Sequence, residues 1–162
     1  MKKIKVTIVA TAAEEYPGCA EILGACPEIE IVARPGGLHE GGVWSAISTS
    51  DVLVLDEAAL VQDGATMLCI LQQYYPLIKL LLVLENGNEN KIMEALALGF
   101  AGVIERTSLR SALRRAVPAL YTGEAWVSRQ LVGSLRTRLL HLDTDTLAGG
   151  VARASAFHEK LN

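Results

Sequence analysis

Five short apolar runs recur along the chain, and each is followed by a longer stretch with helical period. The runs are Ile4–Ala10 (IKVTIVA), Glu28–Arg34 (EIEIVAR), Asp51–Asp56 (DVLVLD), Leu77–Leu84 (LIKLLLVL) and Ala101–Glu105 (AGVIE). Their near-continuous apolar character predicts strands buried on both faces, as in a parallel sheet. Between them the pattern predicts helices. Residues 12–26 are helical in their second half, with Pro17 in the first turn and Ile22 and Leu23 inward. Residues 38–49 form a weak helix, because Gly41 and Gly42 lower its propensity. Residues 64–76 form a helix that Pro76 stops. A loop and a helix follow the fourth strand, ending with Gly99 in the C′ position. Residues 107–123 form a basic amphipathic helix, capped by Thr107 or Ser108. Strand and helix alternating in this way predict an α/β fold. Right-handed crossovers make it a doubly wound, five-stranded parallel sheet, order 2-1-3-4-5. The crevice of such a sheet opens at the carboxyl ends of strands one and three, where Ala10, Thr11 and Asp56 fall.

After Gly123 the pattern changes. A turn leads to an extra C-terminal helix starting near Ser128, with Leu131, Leu135 and Leu139 on one face. The final stretch has Gly149 and Gly150 and no clear period, and reads as a mobile tail or a short docking helix. The expected organisation is a domain over 1–122, a linker helix over 123–142 and a tail over 143–162.

Composition narrows the function classes. A formal net charge of −3 over 162 residues argues against general nucleic-acid or membrane-surface binding. No run of 18 apolar residues exists, so no transmembrane helix is expected. The start MKKIKVTIVA is basic, but its apolar run is too short for a signal peptide, which predicts a cytoplasmic protein. Cys19, Cys26 and Cys69 have no CxxC spacing and read as buried thiols, and His39, His141 and His158 are scattered. No metal signature follows from them.

The remaining candidate is Asp56, an acid ending a buried strand in apolar company. DVLVLD with Asp63-Gly64 behind it, EALALGFAGVIER, and GEAWVS at Gly123 to Ser128 carry a resemblance. From Lys3 to Tyr121 the chain resembles a two-component response-regulator receiver domain, of the CheY-like fold. It is most similar to the subclass joined to a LuxR-type helix-turn-helix. The resemblance implies that Asp56 is the acceptor of a phosphoryl group from a histidine kinase. Two acids after strand one would join it in holding Mg²⁺. A Thr or Ser after strand four and a Lys after strand five would bind the phosphoryl oxygens.

The chain departs from that pattern. The acidic pair falls on Ala10 and Thr11, and neither supplies the charged oxygen a hard cation wants. The hydroxyl position falls on Leu84, with Glu85 beside it, and the lysine position on Arg106. The switch aromatic falls on Val103 and the loop proline on Leu60. Ala58, two residues after Asp56, falls on a third metal-site position by the resemblance, again without an oxygen ligand in its side chain, and an aspartyl phosphatase would need a second acid there. Flavin and dinucleotide sites lack their glycine-rich loops. The reading is therefore a degenerate, non-enzymatic pseudo-receiver with no cofactor, no bound Mg²⁺ and slow or absent phosphorylation. Asp56 is expected to bond backbone N–H groups of its loop, or to pair with Arg106. Partners are expected at the helix-four, strand-five, helix-five face, with its stripe of Arg106, Arg110, Arg114 and Arg115, or at the C-terminal helix. They are a protein or a second copy. The competing reading is a phosphorylatable receiver half of a transcription factor, with DNA bound only through an effector domain absent from this chain. Trp44 is expected to face the core, and Trp126 to anchor the linker.

Overall fold

A computed structural model describes residues 1–10, 17–61 and 64–142. Five strands alternate with helices: β1 (Ile4–Val9), α1 (Pro17–Gly24), β2 (Ile29–Ala33), α2 (Val43–Ser48), β3 (Val52–Asp56), α3 (Gly64–Tyr74), β4 (Lys79–Leu84), α4 (Glu89–Ala97), β5 (Gly102–Glu105) and α5 (Leu109–Tyr121). Two 3₁₀ turns, Glu57–Leu60 and Arg106–Ser108, follow β3 and β5. All strand pairs are parallel and the order is β2-β1-β3-β4-β5, as the sequence pattern predicts.

The apolar runs are explained by two cores, one on each face of the sheet. Val52 and Val54 of β3 and Leu81 and Val83 of β4 face one layer, with Cys19 and Leu23 of α1 and Leu113, Val117 and Leu120 of α5. Their neighbours Leu53, Leu55, Leu80, Leu82 and Leu84 face the other, with Ile47, Leu68, Leu71 and Ala95 of α2, α3 and α4. A strand with both pleat faces buried has no place for a polar side chain, hence the unbroken runs. Thr7 is the buried polar residue on β1, and its hydroxyl meets Ser50 Oγ at 2.8 Å. Ser50 gives its own proton to the Ala46 carbonyl, so Thr7 is the donor in that pair.

The differences from the sequence pattern lie at element ends. Strand four starts at Lys79, and the apolar Leu77 before it is 86% exposed. The second helix is only six residues long, begun by Gly42 at φ 84°. Arg106–Ser108 winds as a 3₁₀ turn before α5, and Ser108 caps α5 without a side-chain hydrogen bond. Gly99 does end α4 with φ 100°. Trp44 is half-buried against the second core and stacks on Tyr75, centroids 6.4 Å apart. Cys19 and Cys26 are buried as expected, whereas Cys69 is exposed.

The chain divides into two compact units, Met1–Trp126 and Val127–Asn162. The first therefore extends past the expected boundary at 122, because Trp126 joins the sheet. Its N–H donates to the Ala101 carbonyl and its carbonyl accepts from Val103 N–H, at 3.0 and 2.9 Å, beside Gly102. Arg115 lies over its ring, 5.5 Å from the centroid. In the second unit a helix (α6) covers residues 129–142, capped by Ser128 Oγ, which accepts the Leu131 N–H at 3.2 Å. Leu139, Leu140 and Leu142 are exposed on it. The expected tail over 143–162 lies outside the described residues. Among the described residues no helix is long and apolar enough to cross a membrane.

Candidate functional site

The carboxyl ends of β1, β3, β4 and β5 place Ala10, Asp56, Leu84 and Arg106 at the same end of the sheet. Asp56 closes β3 and is 3% exposed. Its backbone is extended, φ −85° and ψ 162°, and its Oδ1 accepts the Ala59 N–H at 2.7 Å. That bond makes Asp56 the N-cap of the 3₁₀ turn Glu57–Leu60, and satisfies a backbone donor that the turn leaves open. The turn itself has no polar periodicity that would announce it in EAAL.

The other positions divide into filled and bonded. Ala10 presents a methyl group, and its N–H reaches the Pro35 carbonyl at 3.3 Å. Ala58 is exposed on the capped turn. Leu84 is 3% exposed and packs into the α2–α4 core, so it takes no part in the crevice. Val103 is likewise core. Thr11 and Asp63 lie outside the described residues.

Glu85, which follows Leu84, turns to Arg106. Arg106 Nη1 donates to both of its carboxylate oxygens, at 3.1 and 2.9 Å. Glu85, 21 residues from Arg106, is a partner of it that no sequence pattern announced. Glu57 and Lys91 were also missed. Lys91 Nζ meets Glu57 Oε1 at 2.8 Å, and Glu57 Oε2 accepts the Glu85 N–H at 3.4 Å. The one available sequence signal was position, since Glu57 opens the turn after β3 and Lys91 lies in the first turn of α4.

Cys19 of α1 senses the same site. Burial pushes its thiol up to about 11, the Asp56 carboxylate adds to the rise, and the Arg106 guanidinium opposes it.

A hard divalent cation needs several charged oxygens converging on one point. Among the described residues Asp56 bonds its turn, Glu57 and Glu85 each hold a cation of the chain, and Ala10 offers carbon. No group of three or more His, Cys, Asp or Glu side chains among them is arranged to hold a metal ion. Among the described residues the donor set does not fit Mg²⁺.

No family model matches the chain. Among curated proteins it is similar to the DNA-binding transcriptional activator DevR/DosR of Mycobacterium tuberculosis. The two are 23% identical over 136 residues, which are 84% of this chain and 63% of that protein. The chain thus spans less than two thirds of that relative. Among solved structures it is similar to a two-component response regulator of the LuxR family from an Aurantimonas species. There the TM-score is 0.73 at 16% identity, covering 86% of this chain and 99% of that one. The isolated REC domain of RcsB from Salmonella enterica serovar Typhimurium, in its apo form, gives a TM-score of 0.71 at 17% identity. It covers 83% of this chain and 99% of that one. With the sheet order and the aspartate closing β3, these likenesses establish that the chain has the receiver-domain fold of two-component response regulators.

Proposed function

We propose that this chain is an atypical response-regulator receiver module in cytoplasmic signal transduction. It binds rather than catalyses, and it acts without phosphoryl transfer to Asp56, through a protein partner or a second copy. One observation carries the reading. Where the crevice would need an acid and a hydroxyl, it has the Ala10 methyl, a Leu84 turned into the core and a Glu85 carboxylate held by Arg106. Phosphoryl transfer is nearly all positioning and charge neutralisation. Losing one stabilising donor costs on the order of 3 kcal/mol in comparable sites. A carboxylate beside the acceptor adds like-charge repulsion.

The test is incubation of the protein with acetyl phosphate and Mg²⁺, followed by mass spectrometry. The expected spectrum has no phosphoryl adduct, and light scattering with beryllofluoride and Mg²⁺ gives an unchanged mass. An adduct that Asp56→Asn abolishes would overturn the reading. The exposed Arg110 and Arg114 of α5 support this face as the partner surface, whereas Arg115 is engaged with Trp126.

A second reading has its own support. The curated relative is a DNA-binding activator, and one similar structure is of two RcsB dimers bound to two parallel DNAs. On that reading the chain is the phosphorylatable receiver half of a DNA-binding regulator. It predicts both the adduct and a Mg²⁺-dependent change in mass.

A further inference from the structure

Three connections meet where the sheet ends: the 3₁₀ turn after β3, the segment between β4 and α4, and the 3₁₀ turn after β5. Four side chains tie them in sequence. Lys91, in the first turn of α4, pairs with Glu57 of the β3 turn at 2.8 Å. Glu57 turns its second oxygen to the backbone N–H of Glu85. Glu85 pairs in turn with Arg106 of the β5 turn at 2.9 Å. The middle of the chain of bonds is one residue, Glu85, held by its backbone from one side and by its carboxylate from the other.

A second observation shows that the same segment is seated closely. A Cβ built on Gly87 would lie 2.8 Å from Glu105 Cγ and 2.9 Å from Glu105 Oε1, far inside normal contact. Gly87 thus lets the β4–α4 segment lie against the side chain of Glu105, the last residue of β5. The fit and the ion pairs act on the same four-residue stretch.

We propose that Lys91–Glu57···Glu85–Arg106 is an electrostatic strap that fixes the β4–α4 connection against the two 3₁₀ turns. Charges of the chain itself then hold the crevice in one arrangement. The proposal does not depend on whether Asp56 accepts a phosphoryl group. Each pair is partly exposed and weak alone, with side chains between 36% and 53% accessible. Its effect comes from linking both pairs through Glu85, so that breaking either one loosens the same segment.

The test is hydrogen exchange by mass spectrometry on the full chain, following residues 85–91, with the buried α5 segment 113–120 as the control. Lys91→Met and Glu57→Gln should each speed exchange of 85–91 by about two- to fivefold, the range of a surface pair. The double variant should add nothing further, because both remove the same link. Gly87→Ala should speed the same segment by displacing the Glu105 side chain, with the residues of both ion pairs unchanged. For the wild type, 1 M salt shortens the screening length to about 3 Å and should reproduce the effect, leaving 113–120 unchanged. This last measurement stands even if a variant fails to fold. Unchanged exchange of 85–91 in high salt, or additive effects of Lys91→Met and Glu57→Gln, would overturn the strap.

Discussion

At the residue scale, Asp56 and Cys19 show how one site imposes different chemistry on two acids. Asp56 keeps a backbone donor, Ala59 N–H, within 2.7 Å. Cys19 sits in the α1–α5 core, where burial favours the neutral thiol and raises its pKa from 9.0 to about 11. The sign of the linkage follows. A group whose pKa is raised on folding stabilises the fold fully below its unfolded pKa, and that contribution is lost as pH rises through the folded value. The unfolded chain ionises Cys19 near pH 9, the folded chain only near pH 11, so stability should fall between them. The loss has an upper bound of roughly 3 kcal/mol. Denaturant titrations from pH 8 to 11 on the wild type and Cys19→Ala check this. The wild type should decline more steeply, and parallel curves would refute the assignment. Asp56 was legible in the sequence because a buried run ended on a carboxylate. Its bond to the backbone of its own loop was among the expected uses. Arg106 was legible as the surviving cation, but its grip on Glu85 was not, because a pairing across two loops leaves no periodicity to read.

At the element scale, the strands were legible because burial on both faces writes itself as a continuous apolar run. The ends were less so. Leu77 looks like strand but is exposed, since apolar character alone cannot tell a strand from the turn that leads into it. The 3₁₀ turns were missed for a related reason: three or four residues are too few to show a period. Gly102 marks a close contact between elements. A Cβ there would meet Trp126 Cβ at 2.9 Å and Leu81 Cδ1 at 3.0 Å. Only a residue without a side chain lets Trp126 approach β5 closely enough for its two backbone bonds. Gly102→Ala should therefore destabilise the first unit by about 1–3 kcal/mol, the range of overpacking in a filled site. Urea denaturation measures it, and a change below about 0.5 kcal/mol would mean that Trp126 can move away freely.

At the scale of the whole molecule, the first compact unit includes Trp126. The sequence placed the boundary at 122 because helical periodicity stops there. The sheet's use of a later residue is a long-range event that periodicity does not record. A chain of residues 1–126 should therefore melt above one of residues 1–122. The shorter chain loses two backbone bonds, the packing of a half-buried tryptophan and the Arg115 contact. Together these are worth about 2 kcal/mol. At about 4 °C per kcal/mol the difference in Tm is roughly 8 °C. Equal melting temperatures would show that the sheet does not need residues 123–126.

The bridge between Gly102 and Trp126 also bears on how the protein behaves in a crowded solution. β5 is an outer strand of the sheet, and an outer strand offers its unpaired amides and carbonyls to any neighbouring chain. Trp126 takes the Val103 amide and the Ala101 carbonyl first. The five residues after α5, ending in Trp126, thus act as a selvedge: they finish the fabric of the sheet so that its edge does not stitch itself to the next molecule.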